Sequence, residues 1–359
     1  METILFLAHP DLDSKPPRVA FEALHAAVRL REEFGAELHV GLIGADLEQT
    51  AGRMAGCGAS SFLGAADPEL GVSRYGTDLS ALQAIVEKVA PTLIVAPATS
   101  RFSRVMPGLA VRAGGRIDTH ITALGGTGID GSPAPAAGAD ATGLTVERWY
   151  YRQRMRARLT RSARPWILLV DAGAFPEWKG DAGAVTLTEV APWPAGTPGS
   201  DQTRTKVLGE QDGESGAQTI RPEADVLLVA GAGWAKKQAD GETHLGRAEE
   251  LILGFLGGAK ASLGSSKSLV DQSSEGHAIL SCLSHLNQVG QTGTTPRHPK
   301  GLATCCHGEE PHVVGWRFIQ ERRAVNLDAN CGWARGKADV LYVADAFQVM
   351  EKVNEMLSR

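Results

Sequence analysis

Paired cysteines are missing from this chain. Its five cysteines, Cys57, Cys282, Cys305, Cys306 and Cys331, form an odd set without CxxC spacing. That pattern excludes a disulfide framework and predicts the reduced thiols of a cytoplasmic protein. An excess of one charge is missing too. The 36 Lys and Arg side chains nearly balance 41 Asp and Glu, leaving a net charge of −5. No global field recruits nucleic acid or anionic lipid, so electrostatic recognition must be local. The opening run METILFLAHPD is too short for a membrane span and lacks the basic flank of a signal peptide. It reads as a first strand, with no stable membrane insertion expected. The sequence also lacks a GxSxG elbow, a Walker A sequence, an HExxH pair and a recognisable triad.

What is present is alternation. TILFLAH, ELHVGLIG and PTLIVAPAT read as strands, with helical patterns PRVAFEALHAAVRLREEFG and LSALQAIVEKVA between them. That order predicts βαβ units and a mainly parallel sheet, with Gly35 closing a helix and Gly44 a strand. Residues 125–143 turn to Gly, Ala, Pro and Asp and read as a loop. A second break over 191–218 is rich in Pro, Gly, Ser and charge. It predicts an amino-terminal α/β domain over 1–195, a linker over 196–221 and a second α/β domain over 222–359. The second domain restarts with ADVLLVAGAGWAKK and a helix in HLGRAEELILGFLGG. Strands follow in KGLATCC, RRAVNLD and DVLYVAD, and AFQVMEKVNEMLSR closes as an amphipathic helix.

Six stretches could carry chemistry. VAGAGWAKK sets glycines between a strand and a helix, where amides attract phosphate, although a plain tight turn reads equally well. In residues 146–164 a period of two puts Arg148, Tyr150, Arg152, Arg154, Arg156 and Arg158 on one face and Trp149, Tyr151, Met155 and Leu159 on the other. That is a basic ribbon, suited to solvent, to an acidic partner or to a cofactor phosphate. PATSRFSRVMPGLAVRAG follows a strand with hydroxyls and arginines at a carboxyl end, where Ser100 or Ser103 could equally serve as a helix cap. SLGSSKSLVDQ offers Ser265, Ser266, Lys267 and Asp271, and CCHGEEPHVVG offers His307, Glu309, Glu310 and His312 with no firm metal spacing. LNQVGQTG adds a Gln, a Thr and two glycines. Such glycine density means a backbone pressed against something or in positive φ.

The succession of Gly turn, Ser/Lys turn, VGQTG, HGEEPH, VNLD and VADAF resembles the carboxyl-terminal flavin-binding domain of the electron transfer flavoprotein alpha subunit family, across 222–359. APATSRFSRVMPGLAVRAG and the strand carrying Arg148 resemble the family's first domain more loosely. The resemblance implies two α/β domains, the second Rossmann-like and holding FAD. It places Ser266 and Lys267 at the pyrophosphate and Val289, Gly290, Gln291 and Thr292 in the QTG loop, with the Thr292 hydroxyl near flavin N5. It places His307, Gly308 and His312 in the segment whose last histidine approaches flavin O2, Asn326 by the adenosine half, and Asp339 at a later aspartate. Donors at N5 and O2 stabilise the charge that reduction brings to the ring.

The sequence departs from the family twice. Its GGRG turn reads GAGW here, with Ala232 and no arginine, and SGAIQH reads HGEEPH, with Glu309, Glu310 and Pro311. Fewer cations and more acids would disfavour a reduced flavin anion. The resemblance implies an electron carrier, paired with a beta-type subunit as a heterodimer and served by a flavin dehydrogenase. The departures keep open a flavin-poor scaffold subunit, and the α/β domains keep open a nucleotide-dependent oxidoreductase.

Overall fold

The computed structural model describes residues 2–11, 15–125, 144–150, 155–193, 205–208, 220–221, 224–271, 280–290, 293–304, 316 and 318–358. The chain divides into two compact units, Met1–Glu210 and Gln211–Arg359. The stretch read as a linker, 196–221, falls mostly outside the described residues.

The strands of the first unit are β1 (Thr3–Ala8), β2 (Glu37–Gly44), β3 (Ser61–Ala66), β4 (Leu93–Pro97), β5 (Arg116–Leu124), β6 (Val146–Tyr150), β7 (Met155–Leu159), β8 (Trp166–Val170) and β9 (Leu187–Glu189). They form one sheet in the order β7-β6-β5-β8-β4-β1-β2-β3-β9. Its centre is parallel, and β5, β6 and β7 pair antiparallel at one edge. The central strands read as unbroken apolar runs because helices cover both of their faces. Ile4, Phe6, Leu93, Val95, Trp166 and Leu168 pack beneath α1 (Arg18–Phe34). Their neighbours Leu5, Leu7, Ile94, Ala96, Ile167 and Leu169 pack beneath α3 (Tyr75–Val89) and α4 (Ser100–Arg112). A short α2 (Glu48–Gly52) follows β2.

Helix α1 buries Ala20, Ala23, Leu24, Ala27 and Leu30, spaced three and four apart as one helical stripe requires. It stops at Gly35, whose φ of 56° turns its N–H back to the Arg31 carbonyl, as the sequence predicts. Helix α3 begins four residues before the predicted Leu79, because Thr77 and Asp78 are buried and belong to its first turn.

The basic segment departs from its sequence reading. It is a hairpin, not a continuous ribbon, with Arg148 opposite Ala157 and Tyr150 opposite Met155. Directly opposed residues share a face. The return strand therefore inverts the parity, setting Arg148 on one face and Arg156 and Arg158 on the other, beside Glu147. Residues 151–154, with Arg152 and Arg154, lie outside the described residues.

The second unit contains β10 (Val226–Ala230), α5 (Leu245–Ala259), β11 (Ser262–Ser265), α6 (Lys267–Asp271), β12 (Lys300–Thr304), β13 (Glu321–Asn326), α7 (Gly332–Lys337), β14 (Val340–Val343) and α8 (Ala346–Leu357). Its all-parallel sheet has the order β11-β10-β12-β13-β14, a doubly wound, Rossmann-like arrangement. Leu228 and Ala230 pack under α5 and α8, while Leu227, Val229 and Ala303 pack with Trp316 and Ile319 on the opposite face. The fold class read from alternation therefore holds in both units. Among the described residues, no helix is long and apolar enough to cross a membrane.

Candidate functional site

Parallel strands send their connections out from their carboxyl ends, and side chains for a ligand collect there. In the second unit β10, β11 and β12 end together. Ser266 N–H donates to the Ala230 carbonyl at 2.9 Å, and Gly231 N–H donates to the Thr304 carbonyl at 2.9 Å. The GAGW stretch is a tight 3-10 turn over Ala232–Ala235, and α5 starts only at Leu245. Of its two sequence readings, the tight turn is the one observed. Trp234 fixes it: the ring is fully buried, its Nε1–H donates to Thr304 Oγ1 at 2.9 Å, and it meets the Phe347 ring at a tilt, with centroids 4.6 Å apart. Lys236 and Lys237 are exposed just beyond.

Ser266 is buried where β11 ends, and its hydroxyl accepts from Leu269 N–H at 3.3 Å. Lys267 comes next, half-exposed and paired with Asp271. Alongside, the LNQVG stretch lies against β11 as a rudimentary outer strand, with Val289 N–H donating to the Ser265 carbonyl at 2.9 Å. Val289 is fully buried, and a Cβ on Gly264 would fall 2.7 Å from it. The glycine density has a local cause. Gly290 adopts φ 142°, and a Cβ on Gly293 would come 2.1 Å from the Gln288 carbonyl oxygen. The loop folds back on its own backbone.

Asn326 closes β13 at the same edge of the sheet. It is buried, and its Oδ1 accepts from Asp328 N–H at 2.9 Å. Asp345, not singled out from sequence, caps α8 by accepting from Phe347 and Gln348 N–H groups, and it shares a small recess with Asn326 and Gln238. A strand followed at once by an aspartate and a helix is the signal that finds it. Asp339 is not brought here. It precedes β14 at the amino end of the sheet, where its carboxylate binds Arg322 and is held below the usual range by that guanidinium. Gln291, Thr292, His307, Gly308 and His312 lie outside the described residues.

The edge thus gathers Ser266, Lys267, Gly290, Asn326 and Asp345. Hydroxyl and ammonium suit phosphate, while amide and carboxylate suit the hydroxyls and ring nitrogens of a nucleoside. This donor set fits a dinucleotide-type cofactor in chemistry and in its place on the sheet. Among the described residues there is no cluster of three or more metal-ligating side chains. Cys282 is no reactive thiol, because burial, aided by Glu249, pushes it up to about 11.

In the first unit, Thr99 caps α4 by accepting from Phe102 N–H at 3.2 Å, a role the sequence assigned to Ser100 or Ser103. His9 Nδ1 bonds the Pro10 carbonyl at 3.0 Å, and a carbonyl only accepts, so Nε2 takes the Thr99 hydroxyl proton at 2.8 Å. Burial, with the nearby Arg101 charge, pushes His9 down to about 4, against the opposing Pro10 bond. It is neutral at physiological pH.

Two carboxylates anchor four described arginines of the basic segment. Glu147 takes Arg156 and Arg158, while Asp118 takes Arg148, Arg161 and the Trp166 indole N–H, the last at 2.9 Å. Burial acts to raise Asp118, but Arg161, Trp166 and Arg148 hold it below the usual carboxylate range. The described arginines of this segment hold the sheet edge together.

Comparison with known families matches residues 4–195, more than half of the chain, to the Electron transfer flavoprotein domain. No curated protein matches the chain. The match covers the first unit, where the sequence resemblance is looser, and leaves the second unit outside it. On that match the chain belongs to the electron transfer flavoprotein family.

Proposed function

We propose that the chain is the alpha-type subunit of a cytoplasmic electron transfer flavoprotein. It pairs with a beta-type subunit, binds FAD on its second unit, and passes electrons from a flavin dehydrogenase to an acceptor. The observation that carries this reading is the coexistence of a family domain over 4–195 with a parallel sheet that gathers Ser266, Lys267, Gly290 and Asn326 at its carboxyl edge. The bound flavin would supply the electron-accepting ring. Ser266 and Lys267 would hold the pyrophosphate, Lys267 by exchanging part of its pairing with Asp271 for phosphate oxygen. Asn326, with Asp345, would hold the adenosine half. Val289 would anchor the loop from the core, so that Gly290, Gln291 and Thr292 border the ring. Thr292, His307, Gly308 and His312 enter on the family resemblance. Without an arginine in the GAGW turn, Lys267, Lys236 and Lys237 would offset negative charge on this edge.

The test is anaerobic mixing of the purified two-subunit complex with a substrate-reduced flavin dehydrogenase, followed at the visible flavin bands. Bleaching that saturates at one flavin per complex, and returns when an acceptor is added, supports the carrier reading. A stable complex that exchanges no electrons contradicts it and favours a scaffold subunit.

A further inference from the structure

The two margins of the second unit's sheet differ. At one, β11 is wholly buried, and the LNQVG stretch lies along it, bonded through Val289 N–H. At the other, β14 pairs with β13 and with no other described strand. Parallel strands are ordinarily covered on both faces. Tyr342 shares a face with its register partner Val325, which packs with Met350 of α8, yet Val340 and Tyr342 are 41% and 43% exposed. Val343, on the opposite face with Leu341, is 56% exposed.

The margin also offers main-chain groups. Ala344 N–H donates to the Asn326 carbonyl at 3.2 Å, so alternation along the strand turns the N–H and C=O of Val343 and Leu341 away from β13. Exposed edges are usually guarded by charge, proline or a bulge. Val340–Val343 contains neither charge nor proline, and its register on β13 is unbroken. The charges stand at the two ends. Lys337 precedes the strand and Asp345 follows it, while Asp339 is already paired with Arg322. Asp345 spends Oδ1 on the α8 cap, and neither it nor Lys337 has an ion pair among the described residues.

An edge with a cation before it, an anion after it and apolar side chains between is complementary to itself run backwards. Laid antiparallel about a two-fold axis at Leu341, a second copy sets Val340 opposite Tyr342 and carries each Lys337 to Asp345 of the other copy. The same register makes Leu341 a hydrogen-bonded pair with its own counterpart, as its outward N–H and C=O allow. We infer that β14 is a self-pairing edge, where two copies of this chain join their second-unit sheets into one continuous sheet. So short a strand makes a small interface, and the dimer is weak and concentration-dependent. The pairing uses the second unit's sheet alone, so it stands whether or not that unit carries FAD.

The test is sedimentation velocity of the full chain over a range of concentrations, alone and bound to its beta-type partner, with FAD content read on the same samples. The chain shifts toward dimer as concentration rises, and the two-subunit complex toward twice its mass. Val343→Lys, at an exposed position that leaves thermal unfolding unchanged, removes both shifts by guarding the edge with a charge. Lys337→Glu weakens dimerisation about tenfold, because two attractions become two repulsions. A chain that stays monomeric throughout, or a dimer indifferent to Val343→Lys, overturns the assignment. So does a shift that the beta-type partner abolishes, which would give the edge to that subunit. FAD content decides the carrier reading separately.

Discussion

The Trp234 indole N–H donates to the Thr304 hydroxyl at 2.9 Å, tying the turn after β10 to the last residue of β12. A buried aromatic ring thus holds this turn. Trp234→Phe keeps most of the buried area and loses the bond, costing about 1–2 kcal/mol. Trp234→Ala opens a cavity as well and costs about 3–5 kcal/mol. Urea denaturation of the full chain, followed by far-ultraviolet circular dichroism, measures both, and equal losses from the two variants would contradict the bonding role.

Gly293 and Gly246 form a matched pair. A Cβ at Gly293 meets the Gln288 carbonyl oxygen at 2.1 Å, whereas one at Gly246, exposed on α5, meets nothing within 4 Å. Gly293→Ala should cost about 1–3 kcal/mol, because the added methyl collides with that oxygen and the loop must shift. Gly246→Ala should gain up to about 1 kcal/mol from helix propensity. The same urea titration decides it, and a neutral Gly293→Ala would mean that the loop is not folded on itself as described.

His9 gives stability a pH dependence. Its pKa falls from 6.5 to about 4 on folding, so between those values the unfolded chain binds more protons. The contribution is fully present above about pH 6.5 and is lost as pH falls toward 4, by at most about 3 kcal/mol. His9→Gln removes the titration. The difference in unfolding free energy between the two proteins should therefore change across this window and be flat above pH 7. A difference that is constant from pH 4 to 8 would show His9 titrating normally.

Asp118 is the acceptor for three donors at the sheet edge. Asp118→Asn leaves Arg148 and Arg161 without their anion, and removing one member of a buried ionic cluster costs about 3–5 kcal/mol. Glu147 is buried but its partners Arg156 and Arg158 are about a third exposed, so removing its charge should cost less than removing that of Asp118. A loss below about 1 kcal/mol in differential scanning calorimetry would instead place these arginines in solvent.

Much of the fold is legible because both faces of the central strands are buried, which writes strands such as β1, β4 and β10 as apolar runs. The hairpin is not legible. Strand parity is inverted by a reversal that no Gly or Pro in RWYYRQRMRA announces, so a period-two reading runs the arginines onto one face. The candidate site is legible where residues end or directly follow a strand, as with Asn326, Ser266 and Lys267. Asp339 belongs to the opposite end of the sheet, because it lies before β14 and Asp345 lies after it. His9 follows a strand too, but a lone histidine has no period to mark it; only the strand order, with β1 beside β4, brings it to Thr99.

The most direct measurement is the cofactor content of the chain co-expressed and purified with its beta-type partner. Heat-released cofactor would be identified by chromatography and quantified against protein. The account predicts FAD at one per subunit pair, reduced several-fold by Lys267→Ala in a complex that still assembles. A colourless complex, or FAD content indifferent to Lys267, would contradict a cofactor site at the carboxyl edge of the second sheet.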